Sequence, residues 1–108
     1  YQEALAEAET AVHLSGGQHP GYHAFLGSVL FCLQRWEQAR LSYEKAAQMD
    51  KADYSSPDNV ALCLINLHRY REAADWLQEV LRRKPDHVGR KGILIHIEEL
   101  RHRTDAEP

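Results

Sequence analysis

The sequence predicts an all-α fold, a solenoid of about six helices in antiparallel pairs, and three observations support this prediction. A stripe of side chains headed by alanine, with a spacing of four and then three residues, recurs at residues 4, 39 and 73. An aromatic residue stands three positions before each stripe. The stripes are 35 and 34 residues apart, a period that is typical of helix-pair repeats.

The stripes define the second helix of each pair. Offsets of three and four residues place each set of side chains on one helix face, and the small residues in it predict close packing against a neighbouring helix. The stripes are Ala4, Ala8 and Ala11, then Ala39, Tyr43 and Ala46, then Ala73, Leu77 and Val80.

The segments between the stripes predict the first helix of each pair. Pro20 suits a first helical turn, and Ser56 with Pro57 is predicted as an N-cap followed by the first helical residue. Gly27 and Ala61 are 34 residues apart. Because glycine in a helix costs about 1 kcal/mol relative to alanine, we expect Gly27 to lie where another group packs closely.

The predicted helices span residues 1–14, 20–33, 36–49, 57–67, 70–83 and 87–103. The segment "GILIHI" in the last helix also alternates like a strand, so a strand is an alternative there. The five preceding helices favour a helix.

The repeats resemble the tetratricopeptide repeat, whose pattern is W-x2-L-G-x2-Y, then A-x3-F, then A, then P. The first full copy reads His23-x2-Leu26-Gly27-x2-Leu30, Ala39-x3-Tyr43, Ala46, with Lys51 where proline is usual. The second copy reads Pro57-x2-Val60-Ala61-x2-Leu64, Ala73-x3-Leu77, Val80, Pro85. The first tryptophan of the pattern is missing from both copies. The resemblance covers nearly the whole chain and implies a right-handed solenoid.

The repeat register divides the single predicted domain into five parts. They are a half repeat at 1–19, two repeats at 20–53 and 54–87, a C-terminal or capping helix at 88–103 and a tail at 104–108.

Composition limits the classes of function. The net charge of −3 argues against nucleic acid as the main partner. Residues 82–103 are basic, with seven Lys or Arg against three Asp or Glu, which fits either solvated helix faces or a site for an acidic partner.

No run of about 18 apolar residues predicts a membrane span, and no targeting peptide is recognised. Cys32 and Cys63 form no C-x-x-C pair, so we expect a reducing, cytoplasmic setting.

No arrangement of residues typical of a metal site or a catalytic site is recognised in the sequence. None of the seven histidines stands beside a cysteine at zinc-finger spacing. The serines have no evident partner for nucleophilic catalysis, and no paired carboxylates are apparent. We therefore expect no metal, no cofactor and no enzymatic activity.

The resemblance implies a concave groove lined by the first helix of each pair, which in this repeat family generally binds peptide segments of other proteins. By register, the candidates are Gly21, Ala24, Ser28, Phe31 and Cys32, then Ser55, Asp58, Leu62, Ile65 and Asn66, and finally His96 and Glu99. Family members that clamp the C-terminal carboxylate of chaperones present Lys, Arg and Asn at these places, and only Asn66 fits. We therefore expect an apolar groove for an amphipathic helix or an extended apolar peptide. Alternatively, Phe31 and Ile65 belong to the core.

These expectations predict a protein-interaction module, acting as a scaffold or a chaperone. The alternative is a self-association module that forms a homo-oligomer, or a regulatory domain of a larger protein. It rests on the half repeats at both ends, each of which leaves a face without its neighbour. The last helix also carries more apolar residues than one stripe can bury, namely Ile93, Leu94, Ile95, Ile97 and Leu100.

Overall fold

The computed structural model describes residues 1–103, which form six helices and no strand. The helices are α1 (Gln2–Leu14), α2 (Pro20–Cys32), α3 (Trp36–Met49), α4 (Ser55–Asn66), α5 (Tyr70–Arg83) and α6 (Arg90–Arg101). The all-α prediction is therefore confirmed, and the strand alternative for "GILIHI" is wrong because this segment lies in α6. The predicted tail at 104–108 lies outside the described residues.

The start of α4 differs from the prediction. Ser56 is not the N-cap but the second residue of the helix, and Pro57 is the third. The Asp53 carboxylate takes over the capping role, since it accepts the backbone N–H groups of Ser55 at 2.8 Å and Ser56 at 3.1 Å. The Ser56 hydroxyl also donates to Asp53 at 2.5 Å. Pro57 costs no hydrogen bond here because first-turn amides have no partner within the helix.

The helices form an elongated array. Each helix packs mainly against its neighbours in sequence. The array measures 41 × 34 × 18 Å, with a radius of gyration of 14.3 Å, against about 13 Å for a compact domain of this length. Consecutive helices that are joined by short connections and packed against each other form a stack of helix pairs.

The turns within the two complete pairs are alike. Gln34 and His68, again 34 residues apart, have φ of 61° and 60°. After each of them a backbone N–H bonds back across the helix end, Arg35 to the Leu30 carbonyl at 2.9 Å and Arg69 to the Leu64 carbonyl at 2.8 Å. Helices often end with this hydrogen bond and with a glycine in the left-handed conformation. Here Gln34 and His68 take the place of glycine, and each costs about 1 kcal/mol in this conformation.

The predicted stripes lie in the core. Ala39 and Ala73 are fully buried, and Tyr43 and Leu77 are buried beside them. A Cβ atom added to Gly27 would lie 3.0 Å from the Tyr43 ring. The expectation of a packing reason for Gly27 is therefore confirmed, since the ring lies where a side chain would be.

Arg83 connects the second repeat to the loop that precedes it. Its guanidinium donates to the carbonyls of Ala47 at 3.0 Å, Asp50 at 3.1 Å and Asp53 at 2.9 Å. It also bonds to Glu79 at 2.6 Å, and its side chain is only 5% exposed. The loop between α3 and α4 is therefore held by a buried cation at the carboxyl end of α3, where the helix dipole favours positive charge.

Candidate functional site

The residues predicted to line a groove lie on α2, α4 and α6, and the surface that they would form is named the α2–α4–α6 face. On α2, Gly21, Ser28 and Cys32 are exposed and Ala24 is half-buried. The Ser28 hydroxyl is hydrogen-bonded to the Tyr43 hydroxyl at 2.9 Å. The α2 part of the face is therefore made mostly of small side chains.

The exposure of two aromatic residues of α2 differs from what the repeat register predicts. Phe31 is half-buried, packs against the core and makes an edge-on contact with Trp36, with ring centroids 4.9 Å apart. Phe25, which the prediction missed, is 44% exposed. It lies on the same stripe as Gly21 and Cys32, at offsets of four and seven residues. Its signal in the sequence is an aromatic residue one helical turn from the predicted groove positions Gly21 and Ser28.

On α4 the predicted residues form an apolar centre with polar ends. Leu62 is 40% exposed, whereas Ile65 is half-buried against the core. Asn66 is exposed, and its side-chain amide donates to the Leu62 carbonyl at 2.9 Å. Ser55 is exposed at the opposite end, and Asp58 is half-buried one turn into the helix. Leu62 is thus the main apolar contact that α4 offers.

Asp58 is a half-buried carboxylic acid in the first turn of α4. Burial raises the pKa of the Asp58 carboxyl above its ordinary value, and the positive charges of His87 and His96 offset part of this rise. His96 and Glu99, one turn apart on α6, are both exposed.

The charge of this face is distinctive. None of the twelve predicted positions, all within the described part of the chain, carries Lys or Arg, whereas Asp58 and Glu99 are acidic. A carboxylate would therefore meet no Lys or Arg at these positions, and a basic group would meet two carboxylates.

The cysteines differ in reactivity. Both Cys32 and Cys63 are free thiols, one exposed on α2 and the other buried in α4. Burial raises the pKa of Cys63 to about 12. Its thiol therefore stays protonated at neutral pH and serves as a small apolar core residue.

One pair of histidines has a spacing found in metal sites, but the two rings make other contacts. His19 and His23 have the four-residue spacing of many metal-binding pairs. In the structure His19 stacks on Tyr22, with ring centroids 4.1 Å apart, and the His23 Nε2 atom is 3.0 Å from the Gly17 carbonyl oxygen. Among residues 1–103 no group of three potential metal ligands comes together. The absence of an enzymatic activity stays a prediction.

Within residues 1–103, no helix has both the length and the apolar character needed to cross a bilayer.

Comparison with known proteins identifies the fold. No family model and no curated protein matches the sequence. Among solved structures, the chain is similar to the TPR (tetratricopeptide repeat) domain of Arabidopsis OM64, with a TM-score of 0.80 at 22% sequence identity. The match covers 95% of this chain and 82% of that domain. The protein therefore has the tetratricopeptide-repeat fold, as the sequence resemblance predicted.

Proposed function

We propose that this chain is a protein-interaction module whose α2–α4–α6 face binds an apolar segment of a partner protein, either as a helix or in extended form. The observation that carries this proposal is the pair of exposed apolar side chains, Phe25 and Leu62, on adjacent first helices of a tetratricopeptide-repeat fold. Exposed apolar groups flanked by polar residues are typical of peptide-binding surfaces. A scaffold or a chaperone would use such a surface.

Charge refines the class of partner. Asp58 and Glu99 flank the apolar centre, and a basic residue of the bound segment would neutralise either carboxylate. At Asp58 this effect is strengthened by burial, since a half-buried carboxylate gains more from an opposite charge than an exposed one. We therefore favour a segment that combines apolar residues with Lys or Arg over one that presents a free C-terminal carboxylate.

The test starts from a displayed library of random 12-residue peptides, selected for binding to the whole chain. The tightest binder is then labelled with fluorescein, and its Kd is measured by fluorescence anisotropy. Phe25→Asp and Leu62→Asp should each weaken binding at least about tenfold, because each buries a charge at an apolar contact. Phe31 is unsuitable for this test, since it packs on Trp36 and its replacement would disturb the fold.

The matched control is Leu41→Asp, at an exposed leucine on α3, outside the proposed face. It should leave the Kd unchanged. Amidation of the peptide's C-terminus should also leave the Kd unchanged, and Asp58→Asn should weaken the binding of peptides that contain Lys or Arg. Binders that tolerate both Phe25→Asp and Leu62→Asp would contradict the proposed site.

A further inference from the structure

A cavity of 380 Å³ lies between α1, α2 and α3, and none of the residues that line it belongs to the α2–α4–α6 face. Its apolar surface is formed by four leucines, Leu5 of α1, Leu26 and Leu30 of α2, and Leu41 of α3. Leu41 is 54% exposed, and Leu5 and Leu26 are half-buried. Cavities that hold small molecules have volumes of about 300–1,000 Å³ and mostly apolar linings, so this leucine cavity is large enough for one.

The second repeat has bulkier and more buried side chains at the corresponding positions. By register, Ser42 at the edge of the leucine cavity corresponds to Trp76 of α5, which is half-buried against the core. Leu26 corresponds to Val60, which is fully buried, whereas Leu26 is only half-buried. The groove between α1 and α3 is therefore open where the repeat pattern allows it to be filled.

An arginine at the edge of the leucine cavity has lost the partners of its counterpart. Arg35 corresponds to Arg69, which bonds to Glu37 at 3.2 Å and to Glu72 at 2.9 Å. The positions that correspond to these two carboxylates hold amides instead, Gln2 and Gln38. Within residues 1–103 the guanidinium of Arg35 forms no ion pair, and it is exposed. It can therefore bind an anion that comes from outside the chain.

Glu9 is the other charged residue of the lining. Its counterpart Glu44 bonds to Arg40 at 2.5 Å, but the position of Arg40 is taken by Leu5 in the first groove. Glu9 accordingly forms no ion pair in the described part of the chain. Because an unpaired carboxylate repels a second anion, the lining favours a ligand with a single carboxylate near Arg35 over a dicarboxylate.

We propose that the leucine cavity binds a small monocarboxylate with an aliphatic chain, of the medium-chain fatty acid class. The carboxylate binds Arg35, and the chain lies on the four leucines. An aliphatic chain suits this lining because all of its large apolar side chains are leucines. This site goes beyond the proposed peptide binding.

The site is formed by α1, α2 and α3 alone. By register, a helix placed before α1 would stand to the leucine cavity as α2 stands to the groove between α3 and α5. α2 packs mainly against α1 and α3. The proposal therefore holds whether or not further repeats precede α1.

The test uses sodium decanoate as the probe and the whole chain labelled with ¹³C at the leucine methyl groups. An NMR titration should give saturable shifts at Leu5, Leu26, Leu30 and Leu41 and none at Leu62, with a Kd of about 1 mM. Decyltrimethylammonium, which has the same chain length and the opposite charge, should bind at least about fivefold more weakly. Absence of saturable shifts up to about 10 mM decanoate, shifts centred on Leu62, or equal binding of the two probes would overturn the proposal.

Two kinds of variant test the arginine. Arg35→Gln should weaken decanoate binding about two- to fivefold. Gln2→Glu/Gln38→Glu restores the carboxylate pair found around Arg69 and should weaken binding at least as much, because Arg35 would then have internal partners. The matched control is Glu37→Gln/Glu72→Gln, which frees Arg69 and should create no second site, since the second groove lacks the leucine lining. An unchanged Kd for Arg35→Gln, or a second decanoate site in the control, would contradict the assigned role of Arg35.

Ser42→Trp tests the cavity itself. It places the residue of the second repeat in the first, so the indole should fill the space and remove detectable decanoate binding. Thermal melts should show a stability at least equal to that of the wild type, because added apolar contacts in an open groove favour the folded state. A folded Ser42→Trp variant that binds decanoate like the wild type would place the ligand elsewhere.

Exchanged leucine variants separate this site from the peptide-binding face. Leu41→Asp should weaken decanoate binding at least about tenfold and leave the peptide Kd unchanged, whereas Leu62→Asp should do the reverse. Failure of this proposal and failure of the proposed function are therefore distinguishable. If the selected 12-residue peptides shift the methyl groups of the leucine cavity and decanoate does not, the proposal is wrong and the cavity belongs to a peptide.

Discussion

The two complete repeats share one helix geometry but are stabilised by different contacts. In the first repeat the Tyr43 ring lies on Gly27 and its hydroxyl bonds to Ser28. In the second, Leu77 and Ala61 occupy the corresponding positions and have no polar contact there. The repeat register thus determines which positions are buried, while the choice of side chains at them differs from copy to copy.

The ends of the two repeats differ even more. Arg83 of the second repeat binds three loop carbonyls, whereas the corresponding residue of the first repeat is the exposed Met49. The loop between α1 and α2 is instead contacted by His23, at the Gly17 carbonyl. Each connection between repeats is therefore held by a side-chain contact of its own, which the repeat pattern does not predict. The contribution of these contacts to stability can be tested by exchanging residues between the two repeats.

The largest effect is expected from Arg83→Met, which places the residue of the first repeat in the second. This change removes the nearly buried guanidinium that binds three carbonyls and Glu79. We therefore expect a loss of about 2–3 kcal/mol in the free energy of unfolding. Urea denaturation measures this loss as a lower midpoint at an unchanged m value. Met49→Leu, the control in the first repeat, should change stability by less than about 0.5 kcal/mol. Equal stability of Arg83→Met and the wild type would show that the loop needs no such anchor.

The second effect concerns the contact of Gly27 with Tyr43. Alanine is the better helix former, by about 1 kcal/mol, yet Gly27→Ala should destabilise the protein by about 1–2 kcal/mol because its Cβ would crowd the ring. Adding Tyr43→Leu reproduces the pair found in the second repeat and should remove the crowding. A double-mutant cycle by urea denaturation should give a coupling of about 1 kcal/mol or more. Additive effects would mean that the ring can move away without cost.

Much of the fold follows from the sequence, because stacked helix pairs bury the same register positions in every copy. Ala39 and Ala73 are fully buried as their spacing requires, and Gly27 lies against a ring as its helix cost suggested. The cap of α4 was predicted incorrectly, since Ser56 and Pro57 gave a strong start signal. The side chain that caps the helix, Asp53, stands three residues earlier in a segment with several polar candidates.

The candidate site could be predicted only as a set of positions. Register assigns Phe31 and Ile65 to the groove, but whether a side chain turns outward or packs against the next helix depends on neighbours such as Trp36. Phe25 was missed for the same reason, since its exposure depends on the helices around it. The role of Arg83 could not be predicted either, because its partners are backbone carbonyls 30 to 36 residues away in the chain.

The third effect depends on pH and arises from Glu79. Its hydrogen bond to Arg82, with a further contribution from Arg83, lowers the pKa of Glu79 to about 2 even though burial opposes the shift. A lowered pKa in the folded state stabilises the protein above the ordinary value of 4.5, and this contribution is lost as the pH falls towards 2. We expect Glu79→Gln to cost about 1–2 kcal/mol at pH 7, and this cost should disappear near pH 2.

Urea denaturation of wild type and Glu79→Gln between pH 7 and pH 2 measures the convergence. The control is Lys45→Gln, since the exposed Lys45 is the counterpart of Glu79 in the first repeat. It should change stability at pH 7 by less than about 0.5 kcal/mol. A stability difference for Glu79→Gln that is independent of pH would rule out this ion-pair origin.

The smallest effect on stability is expected from glycine substitutions in the turns of the two complete repeats. Gln34→Gly should stabilise the protein by about 0.5–1 kcal/mol, because glycine adopts a φ of 61° without strain and Gln34 is exposed. His68→Gly should gain less, since the His68 Nδ1 atom is 2.6 Å from the Tyr70 hydroxyl and this contact would be lost. Thermal unfolding should therefore rank Gln34→Gly above His68→Gly. The reverse order would mean that the histidine contact contributes nothing and that the two turns differ only in backbone strain.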